Sequence, residues 1–495
     1  MLPTGIEVSL TNAAGDMIDV TPDVSAIEWE VGSKRFNAYG IAHTPFKAAL
    51  TLHNFDGKYN AYSSQLSIIG FGGRVSVLDG GNLLFAGWLD FPQQVDLTTG
   101  ARFIVIPIQG ALTRISQFPE RLYTRLPGNV STGAAIHRVL DDVGWPATAR
   151  RVEQGETELQ SFRVNTSGLL GNNRRRVNLQ DALRVLAVTE VGIIYDDYQG
   201  HIVFEDRSHR RVLPPQFIEF GSGGLTATNV QIGSLRDSII NIIGGEFDEY
   251  VSAGSRGLTA QVEFPHTWTV APYMTESYIY RWDLNPQQFV QNYESVDITA
   301  QHTIGIEEGR FVSYLVEDRK PDQLTVTYTN TTARPQDVTV NSVTGEVFQL
   351  SVGRKIGARH AESIAKYGER AEVYPANLIA DLGKARNYMQ YIVNKHSGVD
   401  AQGNQDALKQ INITSSLNSP TNYAALRDLR ISTAIKVIEP RLGLSSTDSY
   451  WVDRIKHTVT QDGQWNINID ALDTRATIQW DARTWDFGRN TVIGI

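Results

Sequence analysis

Ten histidines and no cysteine set the limits on the chemistry this chain can perform. A metal site needs several ligands that converge, and the chain has no His-Glu-x-x-His motif. Its nearest histidine pair, His201 and His209, flanks a strand-like run and the end of that run, which reads as structural or surface use. Gly221-Ser222-Gly223-Gly224 is too short to cradle a phosphate, and neither a P-loop nor a Gly-x-Ser-x-Gly elbow occurs. Asn54-Phe55-Asp56-Gly57-Lys58-Tyr59-Asn60 offers oxygen ligands but lacks the closing Glu of a calcium loop, so turn chemistry accounts for it. The carboxylate pairs Asp141-Asp142 and Glu307-Glu308 are chain neighbours, and neighbours do not flank one scissile bond. These absences predict a non-enzyme, with no catalytic, cofactor-binding or metal-ligating residues and no cofactor. The remaining candidates are aromatic. Trp268, Tyr273, Tyr278 and Trp282, with Tyr280 and Tyr293 nearby, form a block that is either a contact face or ordinary strand packing.

Such groups have to be held by a sizeable core. The chain has 495 residues, 41% of them hydrophobic, enough for about three or four domains. No apolar run approaches the length of a membrane span, and the start lacks the basic and apolar regions of a signal peptide. Without cysteines there is no disulfide framework, and a cytosolic origin is the expectation. The 54 acidic residues exceed the 45 basic ones, giving −9. Nucleic-acid binders carry a basic stripe instead. The basic runs Arg174-Arg175-Arg176 and His209-Arg210-Arg211 read as solvated loop and strand end.

Up to about Gln117 the pattern is strand after strand. Ile6, Val8 and Leu10 alternate with polar residues, as do Ala48, Leu50 and Leu52, with turns at Asn54–Gly57 and Asp79-Gly80-Gly81. Helical spacing then appears. Ser131-Thr132 caps a run with Ala135, Ile136, Val139, Leu140 and Val143 on one face, stopped by Gly144 and Pro146. Leu179, Leu183, Leu186 and Ala187 make a second helix, followed by a hairpin through Gln199-Gly200. Residues 250–352 are Thr-, Val- and aromatic-rich, as in a small β-sandwich. Leu378, Leu382, Ala385, Met389 and Ile392 step as an amphipathic helix, and another short helix follows Ser419-Pro420.

Two distant stretches also echo each other. Gly87-Trp88-Leu89-Asp90 opens a segment with a turn glycine at Gly100, and Tyr450-Trp451-Val452-Asp453 opens one with Gly463. Each Asp precedes its glycine by ten residues, and both segments read as long β-hairpins. A chain with two similar β-units can supply a pseudosymmetric ring.

Several segments, in shared order, resemble the baseplate hub or minor tail proteins of tailed bacteriophages. They are Ile27-Glu28-Trp29-Glu30 ahead of Ala48–Tyr59, Leu84-Phe85-Ala86-Gly87-Trp88-Leu89, Ile193-Ile194-Tyr195-Asp196 with Gly200 and Phe204, and Ser363–Arg370 with Tyr367-Gly368. The resemblance spans about residues 25–375. It implies an α+β, mainly β chain with two tail-tube-like antiparallel β-barrel or sandwich domains. The expected division is 1–118 for the first such domain and 119–212 for an α+β domain. The second tube-like domain would comprise 213–249 and 353–478, with 250–352 an inserted β-sandwich and 479–495 a C-terminal arm. It also implies a homotrimer at the virion tail tip, made in the host bacterial cytoplasm. Its neighbours would be the tail tube or distal tail protein, the tape-measure protein and tip or fibre proteins, and DNA would pass through its centre without specific binding. The competing reading is a carbohydrate- or receptor-binding β-protein that uses the aromatic block at 264–293.

Overall fold

Alternation of apolar and polar residues decides the architecture. Val8 and Leu10, Leu50 and Leu52, Val75 and Val77, and Ile104, Ile106 and Ile108 are all buried, while their chain neighbours stay partly exposed. Strands with this period can bury only one face, so they must wrap around a shared interior. In the computed structural model the described residues run from 2 to 474, without 13, 33–44, 60–71, 92, 97–101, 118–122, 127–129, 160–161, 166–178, 211–213, 215, 222, 235–238, 258–266, 282–287, 303–311, 321–322, 375–377 and 400–408. The arm expected at 479–495 and the basic run 174–176 therefore lie outside the described residues.

One 14-stranded sheet dominates. Its order is Asn229–Ser234, Lys409–Ser416, Trp465–Asp473, Ser449–Thr460, Val24–Gly32, Lys47–His53, Arg102–Gln109, Asn82–Leu89, Arg74–Asp79, Ile6–Thr11 and Met17–Asp19. Three strands lie off this path. Gln93–Asp96 pairs with Arg102–Gln109, and Ile218–Gly221 pairs with Ala434–Ile438, which joins Ser449–Thr460. Every pairing is antiparallel except that of Ile218–Gly221. The fold is α+β and mainly β, and no barrel closes among the described residues. One hydrophobic cluster runs through both ends of the sheet, from Ile6, Trp29 and Phe85 to Ile413, Trp465 and Ile469.

Beside it sits the mixed region. Thr132–Asp142 is a helix whose cap, Ser131, accepts a hydrogen bond from the Ala134 amide at 3.3 Å, as its sequence predicts. It packs with the helix Leu179–Glu190 and the hairpin Ile193–Asp196 and Ile202–Glu205 over Ile136, Leu140, Leu183 and Phe204. The short helix Ala111–Ser116 was not legible in the sequence.

A third region leaves the large sheet after Ser234 and rejoins it at Lys409. Its spine is the pair of long strands Ile242–Gly257 and Gln336–Arg359. The borders expected at 249/250 and 352/353 fall inside these strands. The helix Leu382–His396, capped by Asp381, lays Ala385, Met389 and Ile392 against Ile243 and Phe247. Farther out, Thr275–Arg281, Gln323–Asn330 and Val312–Lys320 form a separate three-stranded sheet. No helix among the described residues is long and apolar enough to cross a membrane.

Asp196 ties the first β-unit to the mixed region. Its buried carboxylate accepts hydrogen bonds from the amide of Phe46, where the strand Lys47–His53 begins, and from the amide of Leu112 at 3.1 Å, in the first turn of the helix Ala111–Ser116. Burial pushes its pKa up to about 7. Replacing Asp196 by Ala leaves two buried amides unpaired, so a loss of about 2–4 kcal/mol is expected in urea unfolding. Asp196→Asn keeps one acceptor and should lose less; equal losses would contradict this role.

Candidate functional site

The echoed segments are the same structural device. Trp88 lies opposite Gln109 and Leu89 opposite Ile108, but beyond Asp90 the ladder resumes with Gln93 opposite Val105. Trp451 lies opposite Leu472 and Val452 opposite Ala471, and beyond Asp453 it resumes with Arg454 opposite Asp470. In both hairpins the first arm carries one extra residue, at Asp453 in the later one and between Asp90 and Gln93 in the earlier one. A one-residue bulge bends a strand and re-aims the residues beyond it. Gly463 turns the later hairpin with φ of 81°, whereas Gly100 lies outside the described residues.

The likeness extends well past the hairpins. The spatial order Val24–Gly32, Lys47–His53, Arg102–Gln109, Asn82–Leu89, Arg74–Asp79, Ile6–Thr11 recurs as Asn229–Ser234, Lys409–Ser416, Trp465–Asp473, Ser449–Thr460, Ala434–Ile438, Ile218–Gly221. The order along the chain matches as well. Two differences stand out. Ile218–Gly221 runs parallel to its neighbour where Ile6–Thr11 runs antiparallel, and the third region is inserted between the first two strands of the later copy.

The two copies meet at a seam. Val24–Gly32 of the first pairs antiparallel with the part of Ser449–Thr460 beyond the bulge, from Arg454 opposite Gly32 to Thr460 opposite Ala26. On the core side the Trp29 indole stacks on the His457 ring, with centroids 4.4 Å apart and planes 11° from parallel. Trp29 also touches Phe85 of its own unit and Trp465 of the other. His457 Nδ1 accepts the Trp465 Nε1–H hydrogen bond at 3.0 Å, which requires a neutral ring. Its complete burial pushes the pKa down to about 3. On the outer side Arg454 meets Glu30 at 2.8 Å and Asp470 at 2.6 Å, and Lys456 meets Glu28 at 3.0 Å.

Backbone geometry fixes the seam's end. Gly32 has φ of +84°, and a Cβ there would sit 2.1 Å from the Asp453 carbonyl oxygen in the bulge. The Asp453 carboxylate receives Arg210 Nη1 at 2.6 Å, and Arg210 Nε donates to Ser432 Oγ at 2.8 Å. Ser432 Oγ donates in turn to Glu205, which also accepts from Tyr195 at 2.7 Å. The later bulge is thus anchored to the mixed region by a buried ionic cluster. Among the described residues Asp90 instead accepts local bonds, from Gln109 Nε2 at 2.6 Å and from the Phe91 amide.

The described aromatic candidates fall on consecutive elements of the third region. Trp268 lies in Thr267–Val270, opposite Val338. Tyr273 is exposed at a turn with φ of 56°, beside the exposed Met274. Tyr278 lies in the outer three-stranded sheet, with its ring 5.8 Å from Tyr328 and its hydroxyl donating to Glu276. Trp282 lies outside the described residues. His201 and His209 do not converge: the first pairs with Asp197 at 3.0 Å and the second with Glu153 at 2.6 Å. Among the described residues no group of three His, Asp or Glu stands close enough to hold a metal ion. The loop at Asn54 closes on itself, Asn54 Oδ1 accepting the Tyr59 amide at 3.0 Å while Lys58 pairs with Asp23 at 2.7 Å. Sequence reasoning missed the seam. Trp29 and His457 carried the only local signal, an aromatic residue on the apolar face of each of two remote strands.

No family model matches this chain, and no curated protein does. Among solved structures, the 43 kDa tail protein of prophage MuSo2 from Shewanella oneidensis is 12% identical over 95% of this chain and 99% of its own, with a TM-score of 0.49. The tail protein from Neisseria meningitidis MC58 is 9% identical over 96% and 99%, with a TM-score of 0.48. A component of the E. coli type VI secretion system is 8% identical over 91% and 73%, with a TM-score of 0.36.

Two measurements probe the seam. Gly32→Ala meets backbone on one side and an unfavourable φ on the other, so a loss of about 2–4 kcal/mol is expected by chemical denaturation. His457 has a folded pKa below the ordinary value of 6.5, so the unfolded chain binds its proton first. Its contribution is complete above pH about 6.5 and fades as pH falls toward 3, by a few kcal/mol in all. His457→Phe keeps a ring beside Trp29 and cannot be protonated. It should be less stable than the parent at pH 7, having lost the Trp465 acceptor, and the gap should narrow or reverse at pH 4. A gap that does not change with pH would refute the assignment.

Proposed function

We propose that this chain is a structural protein of a bacteriophage tail, the hub at its tip, assembled as a trimer. One observation carries the reading: two units of the same strand order stand side by side in a single continuous sheet, joined head to tail. The segments resembling tail hubs are spread over the large sheet, the mixed region and the third region. Asn82–Leu89 carries the Leu-Phe-Ala-Gly-Trp-Leu run, Ile193–Asp196 opens its hairpin, and Ala361–Tyr367 is the helix bearing Ser363 and Tyr367. Three chains would then present six alike units around an axis, which adapts a sixfold tube on one side to threefold tip proteins on the other. The partners in this reading are the tail tube or distal tail protein, the tape-measure protein and tip or fibre proteins.

The charge suits such a role. Holding DNA requires cationic groups that displace counterions from phosphate, and a chain with a net charge of −9 lets a strand pass rather than stick. The reading assigns no catalytic residue and no cofactor.

Light scattering on the purified chain is expected to give three chain masses, and negative-stain images to show a ring with an open centre. A monomer that binds polysaccharide, with binding lost in Tyr273→Ala or Trp268→Ala, would favour the receptor-binding alternative and sink the hub.

A further inference from the structure

The internal seam joins two particular edges, and the fold repeats both of them. The donor edge is Val24–Gly32, held on its other side by Lys47–His53. Its counterpart in the later unit is Asn229–Ser234, held by Lys409–Ser416; among the described residues this is the terminal strand of the large sheet. The acceptor edge is the stretch of Ser449–Thr460 beyond the bulge at Asp453. Its counterpart beyond the register shift that follows Asp90 is Gln93–Asp96, which pairs only with Arg102–Gln109 among the described residues. Among the described residues each protomer therefore ends in one donor edge and one acceptor edge of the kind already joined within it.

Exposure points the same way. Ile411 lies opposite Ala471, and Ala48 lies opposite Ile108, so the equivalence of Trp451 and Trp88 aligns Ile411 with Ala48. Ile232 faces Ile411 as Trp29 faces Ala48, which puts Ile232 in the place of Trp29. Trp29 is 3% exposed under the seam, whereas Ile232 is 38% exposed. On the acceptor side Phe91, next to the bulge, is 67% exposed. A flat strand edge carrying apolar residues is a template for another strand.

We propose that Asn229–Ser234 of one protomer pairs antiparallel with Gln93–Asp96 of the next copy of this chain. This rests on the ring reading above and names its joint. The register derives from the internal seam. His457 and Thr458 lie four and five residues past Asp453, and Gln94 and Val95 lie four and five past Asp90. Since His457 faces Trp29 and Thr458 faces Glu28, Gln94 faces Ile232 and Val95 faces Gln231. Gln93 then faces Gly233 and Asp96 faces Val230, so no like charges oppose one another. A joint between two unlike edges is heterologous, and copies added through it close into a ring when the rotation per copy permits.

The chain's lack of cysteine makes the test direct. Val95→Cys/Gln231→Cys should, on mild oxidation, give covalent dimers and trimers on a non-reducing gel. Glu28→Cys/Thr458→Cys, the same pair within the seam, should link inside one chain. Val95→Cys/Gly233→Cys is slipped by two residues, a diagonal of about 7–8 Å, and should link poorly. If the mass is three chains and the seam control links while Val95→Cys/Gln231→Cys does not, this joint is wrong and the ring stands. If the parent chain is monomeric throughout, both fall. Should the double variants misfold, hydrogen exchange on the unaltered assembly decides. Protection at every amide from Val230 to Gly233 supports the joint, and protection at alternate amides only, as on a free edge, overturns it.

Discussion

The antiparallel ladder between Val24–Gly32 and Ser449–Thr460 is the constraint on which the rest of the structure hangs. It brings together residues such as Glu30 and Arg454 that are 424 positions apart. The entropy of closing so long a loop grows only with the logarithm of its length, so distance along the chain is not the main obstacle. What must be overcome is the ordering of the two edges. The ion pairs on the outer face, partly exposed, contribute at most about 1 kcal/mol each. A tryptophan that buries roughly 200 Å² contributes on the order of 5 kcal/mol before its ordering is counted. The Trp29–His457 stack therefore outweighs the charges, which select register more than they supply stability.

The bulge explains why a seam can form there at all. Before Asp453 the strand Ser449–Thr460 is bonded to Ala434–Ile438, and after it the same edge is bonded to Val24–Gly32. One extra residue thus lets a single strand serve two neighbours in succession. The close approach this demands leaves no room for a Cβ at Gly32, and Arg210 neutralises the aspartate that the bulge draws inward. In the first unit the register shifts by the same one residue just after Asp90, but the edge beyond it has no second strand among the described residues.

Much of this was visible in the sequence, and the rest was hidden for a physical reason. Periodicity located the helices at Thr132, Leu179 and Leu382, because each buries one stripe. The Trp-x-Asp echo located the repeated hairpin, because bulge and turn are local devices. The helix Ala111–Ser116 was missed, being six residues long and without a side-chain cap. The seam was missed because strand pairing is specified by edges that meet only after folding. Trp29 was legible only as part of the run Ile27–Glu30, and His457 drew no expectation at all. Ile232 sits in a strand whose residues are mostly exposed, so nothing in its pattern distinguishes it from a loop. Most of the long strand Gln288–His302 pairs with Gln336–Arg359, a partner also shared with Ile242–Gly257, which is why a border drawn by composition cut through continuous strands.

A pair of units joined head to tail differs from a pair related by a twofold axis in what it leaves over. A twofold joint consumes the same edge on both units and terminates. A head-to-tail joint consumes a donor from one and an acceptor from the other, and leaves the complementary pair unused. Open edges of this kind are a standing hazard of aggregation unless they are charged, bent away or covered. Here the donor edge offers Val230, Gln231, Ile232 and Gly233, with no charge to repel a strand. On the closed seam the charges of Glu28, Glu30, Arg454 and Lys456 fix a register within one molecule. A directional module with one such joint made, and with its complementary donor and acceptor edges unpaired among the described residues, has the form that a closed ring of repeated units would require of its subunit.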